Sequence, residues 1–352
     1  MGQFKPSWLL YGATGYSGRL IAAEAKKRGL NLILGGRNEA ALTALGKELE
    51  LPYRCIDLND RNAVDRGALG VRLILNCASP FAISASVLAQ ACIRSGAYYL
   101  DLSSEVADFR SLFRLHARAE EAGVLLMCGV GMGILPTDAL ALHLKQRLPS
   151  AVTLRLAFYG ENAKPSRGTL RTLLESLRQR GFVREGGQLK ETELTFETRQ
   201  VDFGPAGRRR VISFPWRGDL FTAGVSTGIQ FVYSYAALPL LLQWLMRGRK
   251  QLAKGWIGDL LERYVNGASE GPTDEERNKG RTWFWGEVVN DVGTRASTVI
   301  SAPEGYTLST SCALYAVERL LGGDSPEGWR TPAQVFGTDP LRSLPGLTLT
   351  DR

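Results

Sequence analysis

The chain has 352 residues, of which 44% are hydrophobic and 22% charged, so its length favours two domains and its composition can bury a core. Its 43 basic and 35 acidic residues give a net charge of +8, which suits an anionic ligand, but the basic residues are scattered without a zinc-finger or RNA-binding motif, so nucleic acid is not an expected partner. Five cysteines without CxxC spacing and two histidines predict no metal site and indicate a reduced, cytoplasmic protein.

The first 130 residues alternate short apolar runs with amphipathic helices. In the helix predicted over Glu39–Glu50, for example, leucines recur at three- and four-residue intervals. Continuous apolar strands separated by such helices are typical of a parallel sheet that is covered on both faces. The pattern therefore predicts an α/β fold, with a Rossmann-type doubly wound domain over residues 1–130. Its strands are predicted at Trp8–Tyr11, Leu30–Leu34, Tyr53–Ile56, Val71–Cys77, Tyr98–Leu102 and Val124–Cys128.

From about residue 150 the sequence changes to alternation. In Ala151–Tyr159 the even-numbered residues from 152 to 158 are all large and apolar, which is typical of a strand with one solvated face. We predict a second α+β domain over residues 131–305, built on a mostly antiparallel sheet. A helix over Tyr306–Gly322 then opens a C-terminal segment, residues 306–352. Further strands are predicted at Glu193–Val201, Arg210–Phe214, Thr282–Val289 and Ala296–Ser301.

A glycine-rich turn, GATGYSG, follows the first predicted strand. In this pattern the first glycine permits a tight turn, the second lets the backbone approach a pyrophosphate, and the third lets the next helix pack close to the sheet. Amides at the N-terminus of that helix then face the phosphate. Between the first strand and the first helix of an alternating series, the motif predicts dinucleotide binding. The predicted contacts are Gly12, Thr14, Gly15, Tyr16, Ser17 and Gly18.

The end of the second strand selects between the two dinucleotides. NAD-binding domains carry a carboxylate there, which binds the ribose 2′-OH, whereas here Gly35 and Gly36 are followed by Arg37 and Asn38. The planar guanidinium of Arg37 suits a 2′-phosphate, and Asn38 can donate a hydrogen bond beside it. NADP is therefore the predicted cofactor. The alternative is that Arg37 only caps a strand at the surface.

Small and polar residues close the next three strands at the edge of the sheet where such cofactors bind. Asp57 closes the third strand, where adenine usually rests. Asp101, Ser103 and Glu105 close the fifth strand and are the candidates for catalysis. The alternative is that Ser103 or Ser104 caps the next helix, with Glu105 in its first turn. The loop after the fourth strand, expected beside the nicotinamide, consists of Cys77, Ala78, Ser79, Pro80 and Phe81.

Counting residues excludes two classes of dehydrogenase. None of the eleven tyrosines has a lysine four residues further on, as the short-chain dehydrogenases require. The zinc-dependent alcohol dehydrogenases need more cysteine and histidine ligands than the chain offers. His116 and His143 both fall in predicted helices, where we interpret them as surface or packing residues.

Several motifs together resemble the saccharopine dehydrogenase-like oxidoreductases, most of all the branch of trans-acting enoyl reductases. Two departures lie near the expected active crevice. Ser103–Glu105 stands where the family commonly has Thr- or Ser-Gly-Glu, and Met132–Leu135 stands where it usually has Asp-Ser. The motifs, which extend over nearly the whole chain, are GATGYSG (12–18), GGRN (35–38), NCASPF (76–81), YYLDLSSE (98–105), GVGMGILPTDALA (129–141), SRGT (166–169), EGPTDEERNKGR (270–281) and TPAQVFG (331–337).

The resemblance implies an NADP-dependent reductase that acts on a hydrophobic, acyl or lipid-like substrate of the enoyl type. It also implies that the C-terminal segment returns to the Rossmann domain. The second sheet is expected to cover the nicotinamide, and a homodimer interface is a further role for it. Reduction of an imine between an amino acid and an oxo-acid, as in saccharopine dehydrogenase, is the alternative. That substrate needs convergent cations, for which Arg155, Arg167 and Arg171 are the candidates.

A third hypothesis, a non-catalytic lipid- or membrane-associated nucleotide-binding protein, depends on the stretch Leu220–Met246. It contains no charged residue, and basic residues at 247, 249 and 250 follow it. Pro239, Gln230 and Gln243 argue against a single span across a bilayer, because their polar groups would lack partners in hydrocarbon. The stretch is predicted to be a buried or interfacial helix lining an apolar pocket, or else plain core. Peripheral membrane contact through residues 220–250 is left open.

Overall fold

The structure is a computed structural model that describes residues 6–192, 197–247, 256–323 and 325–352. The chain divides into two compact units. The first extends to Leu135 and includes Tyr306–Val335, and the second comprises Pro136–Gly305 and Phe336–Arg352. The segment 306–352, predicted to return to the first domain as a whole, is thus divided between the two units.

Strands alternate with helices up to residue 147, with two successive helices between the fifth and sixth strands. They are β1 (Trp8–Tyr11), α1 (Tyr16–Lys27), β2 (Leu32–Gly36), α2 (Glu39–Leu49), β3 (Tyr53–Cys55), α3 (Arg61–Ala68), β4 (Leu73–Asn76), α4 (Phe81–Ser95), β5 (Tyr98–Asp101), α5 (Val106–Phe113), α6 (His116–Glu121), β6 (Leu125–Met127) and α7 (Leu135–Arg147).

The later elements include both strands and helices, without the regular alternation of the first part. They are β7 (Thr153–Glu161), α8 (Arg167–Arg178), β8 (Gly181–Glu185), β9 (Gln188–Thr192), β10 (Thr198–Asp202), a 3₁₀ turn (Gly204–Ala206), β11 (Arg208–Ser213), α9 (Asp219–Thr227), β12 (Phe231–Ala237), α10 (Leu240–Arg247), α11 (Trp256–Gly267), α12 (Asp274–Lys279), β13 (Arg281–Val289), β14 (Arg295–Pro303), α13 (Gly305–Leu321), β15 (Gly328–Trp329), α14 (Pro332–Phe336), α15 (Pro340–Ser343) and β16 (Thr348–Asp351). Residues 193–196, the first part of one predicted strand, lie outside the described residues.

The first unit is built on a parallel sheet of seven strands in the described chain, ordered β3-β2-β1-β4-β5-β6-β15. The chain starts in the middle, adds strands on one side up to β3 and then on the other from β4, which is the doubly wound order. Every residue of β1, β4, β5 and β6 is buried, because helices cover both faces of such a sheet. The predicted Rossmann-type α/β fold is confirmed.

Strand β15 extends this sheet from a distant part of the sequence. Gly328 and Trp329 pair in parallel with Leu125 and Leu126 of β6. The Trp329 backbone amide donates to His116 Nδ1 at 3.0 Å, so this histidine is used in packing α6 against β15. The strand itself was not predicted, since two residues carry no periodic signal.

The second unit is built on a mixed sheet ordered β10-β11-β12-β7-β13-β14-β16, with β8 and β9 attached through β12. The pair β7 and β12 is parallel, whereas the pairs β10–β11, β11–β12, β7–β13, β13–β14 and β14–β16 are antiparallel. A mostly antiparallel second sheet is therefore confirmed. Strand β16, which was not predicted, pairs with β14 and holds residues 348–351 in the second unit.

The uncharged stretch Leu220–Met246 is not one helix. It contains all of α9 except the first residue, the strand β12 and all of α10 except the last residue, so the prediction of a single helix was wrong. Gly228, with φ +71, terminates α9, since a left-handed backbone favours glycine. The aromatic and β-branched residues that follow then favour a strand. Across the described residues, no helix is both long and apolar enough to cross a membrane; residues 248–250 lie outside them.

Candidate cofactor site

The glycine-rich turn approaches its surroundings so closely that side chains are excluded at two positions. Gly12 has φ +83, and a Cβ there would lie 2.8 Å from the Ala78 backbone nitrogen. A Cβ on Gly18 would lie 2.2 Å from the Gly12 carbonyl oxygen. The backbone amides of Gly12 and Ala13 both donate to the carbonyl oxygen of Gly35, at 2.9 and 3.1 Å. The turn is thus held flat against the ends of β2 and β4.

Gly15 plays a different part in the same turn. It precedes α1 with φ −76, it is exposed, and its Cβ position is 3.4 Å from the Gly12 carbonyl oxygen. No side chain caps α1 at this end, and no acidic residue lies in its first turn. The first amides of a helix carry a partial positive charge and need acceptors. This bare helix N-terminus behind a glycine therefore fits the pyrophosphate of a dinucleotide.

Arg37 follows directly after β2, and its side chain is exposed. Among the described residues no carboxylate forms an ion pair with it. The Asn38 side chain has a structural task, since its Oδ1 accepts from the Ala41 amide at 3.1 Å and caps α2. Its amide nitrogen is the group that suits a phosphate. An unpaired guanidinium at this strand end fits a 2′-phosphate.

The phenol of Tyr11, at the end of β1, interacts electrostatically with both Arg37 and Asp57. Burial raises its pKa to about 12, with Arg37 acting to lower it and Asp57 acting to raise it. Asp57 itself is exposed, and its Oδ1 accepts from the amide and the side chain of Asn59, both at 3.0 Å. Arg37 and Asp57 thus lie close enough to the same buried phenol to act on it electrostatically.

The loop Cys77–Phe81 is held by Asn76, which was not among the predicted site residues. Asn76, fully buried at the end of β4, accepts from the Ala78 amide at 2.9 Å. Its Nδ2 donates to Ser84 Oγ at 2.9 Å and to the Tyr99 hydroxyl at 3.0 Å. Ser84 Oγ in turn donates to the Ala78 carbonyl oxygen at 2.7 Å. These hydrogen bonds from buried residues fix the loop. Ser79 and Pro80 are exposed, and Phe81 is half-buried.

Cys77 lies within this loop. Burial raises the pKa of its thiol well above the usual range, and the charge of Asp101 acts in the same direction. The thiol is therefore neutral near pH 7 and is a poor nucleophile.

Asp101 and Ser103 lie together in the interior, with 0% and 1% of their surface exposed. Asp101 Oδ1 accepts from Ser103 Oγ at 2.6 Å and from the Ser103 amide at 3.0 Å, while Oδ2 accepts from the Tyr99 hydroxyl at 3.0 Å. Burial raises the pKa of Asp101, and these hydrogen bonds oppose the shift. Because both oxygens of this carboxylate accept hydrogen bonds from the protein, its role in this geometry is to hold the backbone in place and not to react with a substrate.

Glu105, the third catalytic candidate, is half-buried. It accepts from the Ser104 amide at 3.1 Å and from Ser104 Oγ at 3.0 Å. It is also the residue that precedes α5, and its side chain makes no capping hydrogen bond there. The alternative that Ser103 or Ser104 caps this helix is wrong, because their hydroxyls donate to Asp101 and Glu105 instead.

Two further segments complete this edge of the first unit. The loop after β6 approaches Ser104 so closely that a Cβ on Gly133 would lie 2.9 Å from the Ser104 Cβ. The Met132 amide donates to Ser309 Oγ of α13 at 3.1 Å. Nothing in the local sequence of Ser309 signals this contact, because 177 residues separate the partners. Among the described residues, no group of three or more metal-ligating side chains occurs.

Comparison with known proteins agrees with this geometry. Residues 8–127 match the saccharopine dehydrogenase NADP binding domain. A probable mitochondrial saccharopine dehydrogenase-like oxidoreductase of Arabidopsis thaliana is 30% identical over 172 residues, covering 43% of this chain and 37% of that protein. The trans-acting enoyl reductase of Mycobacterium ulcerans is 29% identical over 157 residues, covering 42% of this chain and 38% of that protein. The matched part thus spans less than two fifths of either relative.

The fold extends further than these sequence matches. Apo saccharopine dehydrogenase (L-Glu forming) from Saccharomyces cerevisiae superposes with a TM-score of 0.64 over 99% of both chains, at 14% identity. At that identity the likeness establishes the fold alone. The domain match confirms the predicted family and the predicted cofactor, NADP. Over residues 8–127, the chain is thus similar to the NADP-binding domain of the saccharopine dehydrogenases.

Proposed function

We propose that this protein is an NADP-dependent reductase of an enoyl group in a hydrophobic, acyl substrate. The observation that carries the reductase is the combination of the bare α1 N-terminus behind Gly15 with Arg37, which has no ion-pair partner among the described residues. The similarity to the trans-acting enoyl reductase of Mycobacterium ulcerans supports the substrate class. A cytoplasmic location and a homodimer are parts of the same proposal.

Each segment at the carboxyl edge of the first sheet has one task in this proposal. The amides after Gly15 bind the pyrophosphate and Arg37 binds the 2′-phosphate, so that the adenosine half is anchored at one end of the sheet. The loop Cys77–Phe81, braced by Asn76, bears the nicotinamide end. NADPH supplies the hydride when it is bound. The enolate that hydride addition leaves on the substrate needs a hydrogen-bond donor. Asp101 is unsuited to that task, because both its oxygens already accept hydrogen bonds.

Reduction of an imine between an amino acid and an oxo-acid is less well supported. It needs cations that converge on the carboxylates of the substrate. Arg155 instead pairs with Glu287 at 3.2 Å. Arg167 donates to the Ala268 carbonyl oxygen at 2.8 Å, and Arg171 to Asn266 Oδ1 at 2.8 Å. Because each guanidinium has its own partner in the protein, the three do not form the set that this substrate requires.

The non-catalytic, membrane-associated alternative has lost its main support. It depended on an uncharged helix, whereas the middle of that stretch is β12, which pairs with β7 along its whole length. A strand with sheet neighbours on both sides is not available to insert into a lipid surface.

The first test measures NADPH oxidation by the 352-residue chain with enoyl thioesters of increasing acyl length, and separately with mixtures of amino acids and oxo-acids. We expect turnover with the enoyl thioesters, rising with chain length, and none with the mixtures. Turnover only with the mixtures would overturn the enoyl proposal and leave the reductase standing.

A second test places the reaction. Ser79→Trp should fill the nicotinamide end, abolishing turnover while the adenosine-half ligand 2′,5′-ADP still binds. Leu69→Trp is the matched control, because Leu69 is 59% exposed and precedes β4 at the opposite edge of the sheet. Normal turnover by the Ser79→Trp protein would show that the reaction occurs elsewhere.

A further inference from the structure

Helix α13 runs alongside helix α1, although the two are far apart in sequence. The ring of Tyr306 meets the ring of Tyr16 edge-to-face, with centroids 4.9 Å apart and planes at 85°. At the other end, Arg28 Nη1 donates to Glu318 Oε2 at 3.2 Å, across 290 residues of sequence. The same number of residues separates the two contacts on both helices. The helices therefore run parallel and in step, with their N-termini side by side.

The N-terminal part of α13 contacts two segments of the cofactor edge. Tyr306 contacts Tyr16, the residue that begins α1 directly after Gly15. Ser309, three residues later, accepts from the Met132 amide in the loop after β6. The amides that would bind the pyrophosphate thus belong to a turn that the Gly12 and Ala13 hydrogen bonds hold to Gly35, and Tyr306 contacts the residue at the end of that turn.

We propose that Tyr306 is a positioning residue for the cofactor, which it orders through the ring of Tyr16. A loop that is ordered before binding gives tighter binding, because the ligand does not have to supply the ordering free energy. The inference rests on NADP binding as proposed above. It also means that the cofactor site includes a residue far beyond the matched domain, which ends at residue 127.

The test compares Tyr306→Leu with Tyr306→Phe in the full chain. An aromatic pair contributes enough for the leucine variant to bind NADPH about 2- to 10-fold more weakly. NADH binding should fall by the same factor, since Arg37 and not Tyr306 distinguishes the two cofactors. KM for NADPH should rise with kcat unchanged, and phenylalanine, which keeps the ring, should restore the native affinity. The control is Glu318→Gln, which breaks the exposed contact at the far end of the same helices and should leave the affinity unchanged.

A double-mutant cycle with Tyr16→Leu separates this role from a general loss of structure. If Tyr306 acts through the ring of Tyr16, the double variant binds no more weakly than the weaker of the two single variants. Additive losses, an equal loss in Tyr306→Phe, or native affinity in Tyr306→Leu would each overturn the inference. If Tyr306→Leu does not fold, Tyr16→Leu alone decides, because native affinity in that variant overturns the inference too. A native protein that fails to bind NADPH would instead overturn the proposed function itself.

Discussion

The backbone amide of Gly129 donates a 3.0 Å hydrogen bond to Asp101 Oδ1 and so ties the loop after β6 to the end of β5. The same oxygen accepts from the amide and the hydroxyl of Ser103. One buried carboxylate therefore organises two of the segments that line the carboxyl edge of the sheet. Its neighbour Asn76 does the same for the loop after β4, and the Tyr99 hydroxyl lies between them, accepting from Asn76 and donating to Asp101.

We predict that Asp101→Asn destabilises the protein. An amide offers one acceptor oxygen where the carboxylate offers two, so buried donors are left without partners, at a cost of about 3 kcal/mol. Urea unfolding measures the change, with the exposed Asp57→Asn as control, for which we expect a change within about 0.5 kcal/mol. Lost turnover at unchanged stability would contradict the structural role and point to a catalytic one.

Arg37→Asp should remove most of the cofactor preference. The native protein should bind NADPH more tightly than NADH, and the variant should lose most of that difference, because a carboxylate repels the 2′-phosphate. Fluorescence titration with both reduced cofactors measures it. Lys27→Asp makes the same change of charge at the other end of α1 and should keep the native preference. Equal affinities of the unmodified protein for the two cofactors would refute the assignment of Arg37.

The glycines of the turn should respond differently to alanine. Gly15→Ala is compatible with the backbone at φ −76, so its melting temperature should stay close to native while NADPH binding weakens by about tenfold or more, because the methyl group occupies the approach of the pyrophosphate. Gly12→Ala should lower the melting temperature, since it meets both the positive φ and the backbone of Ala78. Calorimetry and NADPH titration distinguish the two. Unchanged NADPH affinity in a folded Gly15→Ala protein would argue against this cradle.

Asp351 should stabilise the second unit at neutral pH, and this contribution should be lost in acid. Burial acts to raise its pKa, but hydrogen bonds from Thr298 and His143 and the charges of His143 and Arg147 hold the pKa below its ordinary value of 3.8. A lowered pKa contributes stability that is full above the ordinary value and is lost as the pH falls through the folded-state value. Asp351→Asn should therefore destabilise the protein at neutral pH, and the difference should shrink below about pH 4. The exposed Asp291→Asn is the control; a difference that grows in acid would contradict the assignment.

Alkylation of the native protein should modify Cys55 before Cys92, Cys128 and Cys312. Cys55 is exposed, whereas Cys92, Cys128 and Cys312 are buried, and burial raises the pKa of each of these three thiols well above its usual range. The thiolate is the reactive species, so they should react only on unfolding. Peptide mass spectrometry after a short iodoacetamide pulse measures the order. Early labelling of Cys312 would mean that α13 opens in the native state.

Much of the first sheet was predictable because each central strand is buried on both faces. An apolar run such as Trp8–Tyr11 then coincides with the strand itself. The same reasoning failed at Phe231–Ala237. Because the residues before and after this strand are also largely apolar, the sequence does not show whether the period is that of a helix or of a strand. The edge strand β16 escaped prediction for the opposite reason, since Thr348–Asp351 is largely exposed and polar. Strand β15 is buried but has only two residues, which carry no periodic signal.

The candidate site divides in the same way. The glycine turn and Arg37 were predictable because their chemistry is contained in a few consecutive residues. The contacts of Asp101 with Gly129, of Met132 with Ser309 and of Tyr16 with Tyr306 join residues that only the fold brings together. A sequence pattern marks single positions, and so it identified Asp101 as important without showing that its partners are structural.

The late position of β15 has a consequence for the synthesis of the protein. The Trp329 indole donates to Cys128 Sγ at 3.4 Å across 201 residues of sequence, and it packs edge-on against Phe109. At translation rates of about 5–20 residues per second, the ribosome needs ~10–40 s to reach Trp329 after it has completed β6. Through that interval the nascent parallel sheet lacks both its last strand and the indole that packs beside Phe109, and an unpaired strand edge is a site for wrong pairing with other chains.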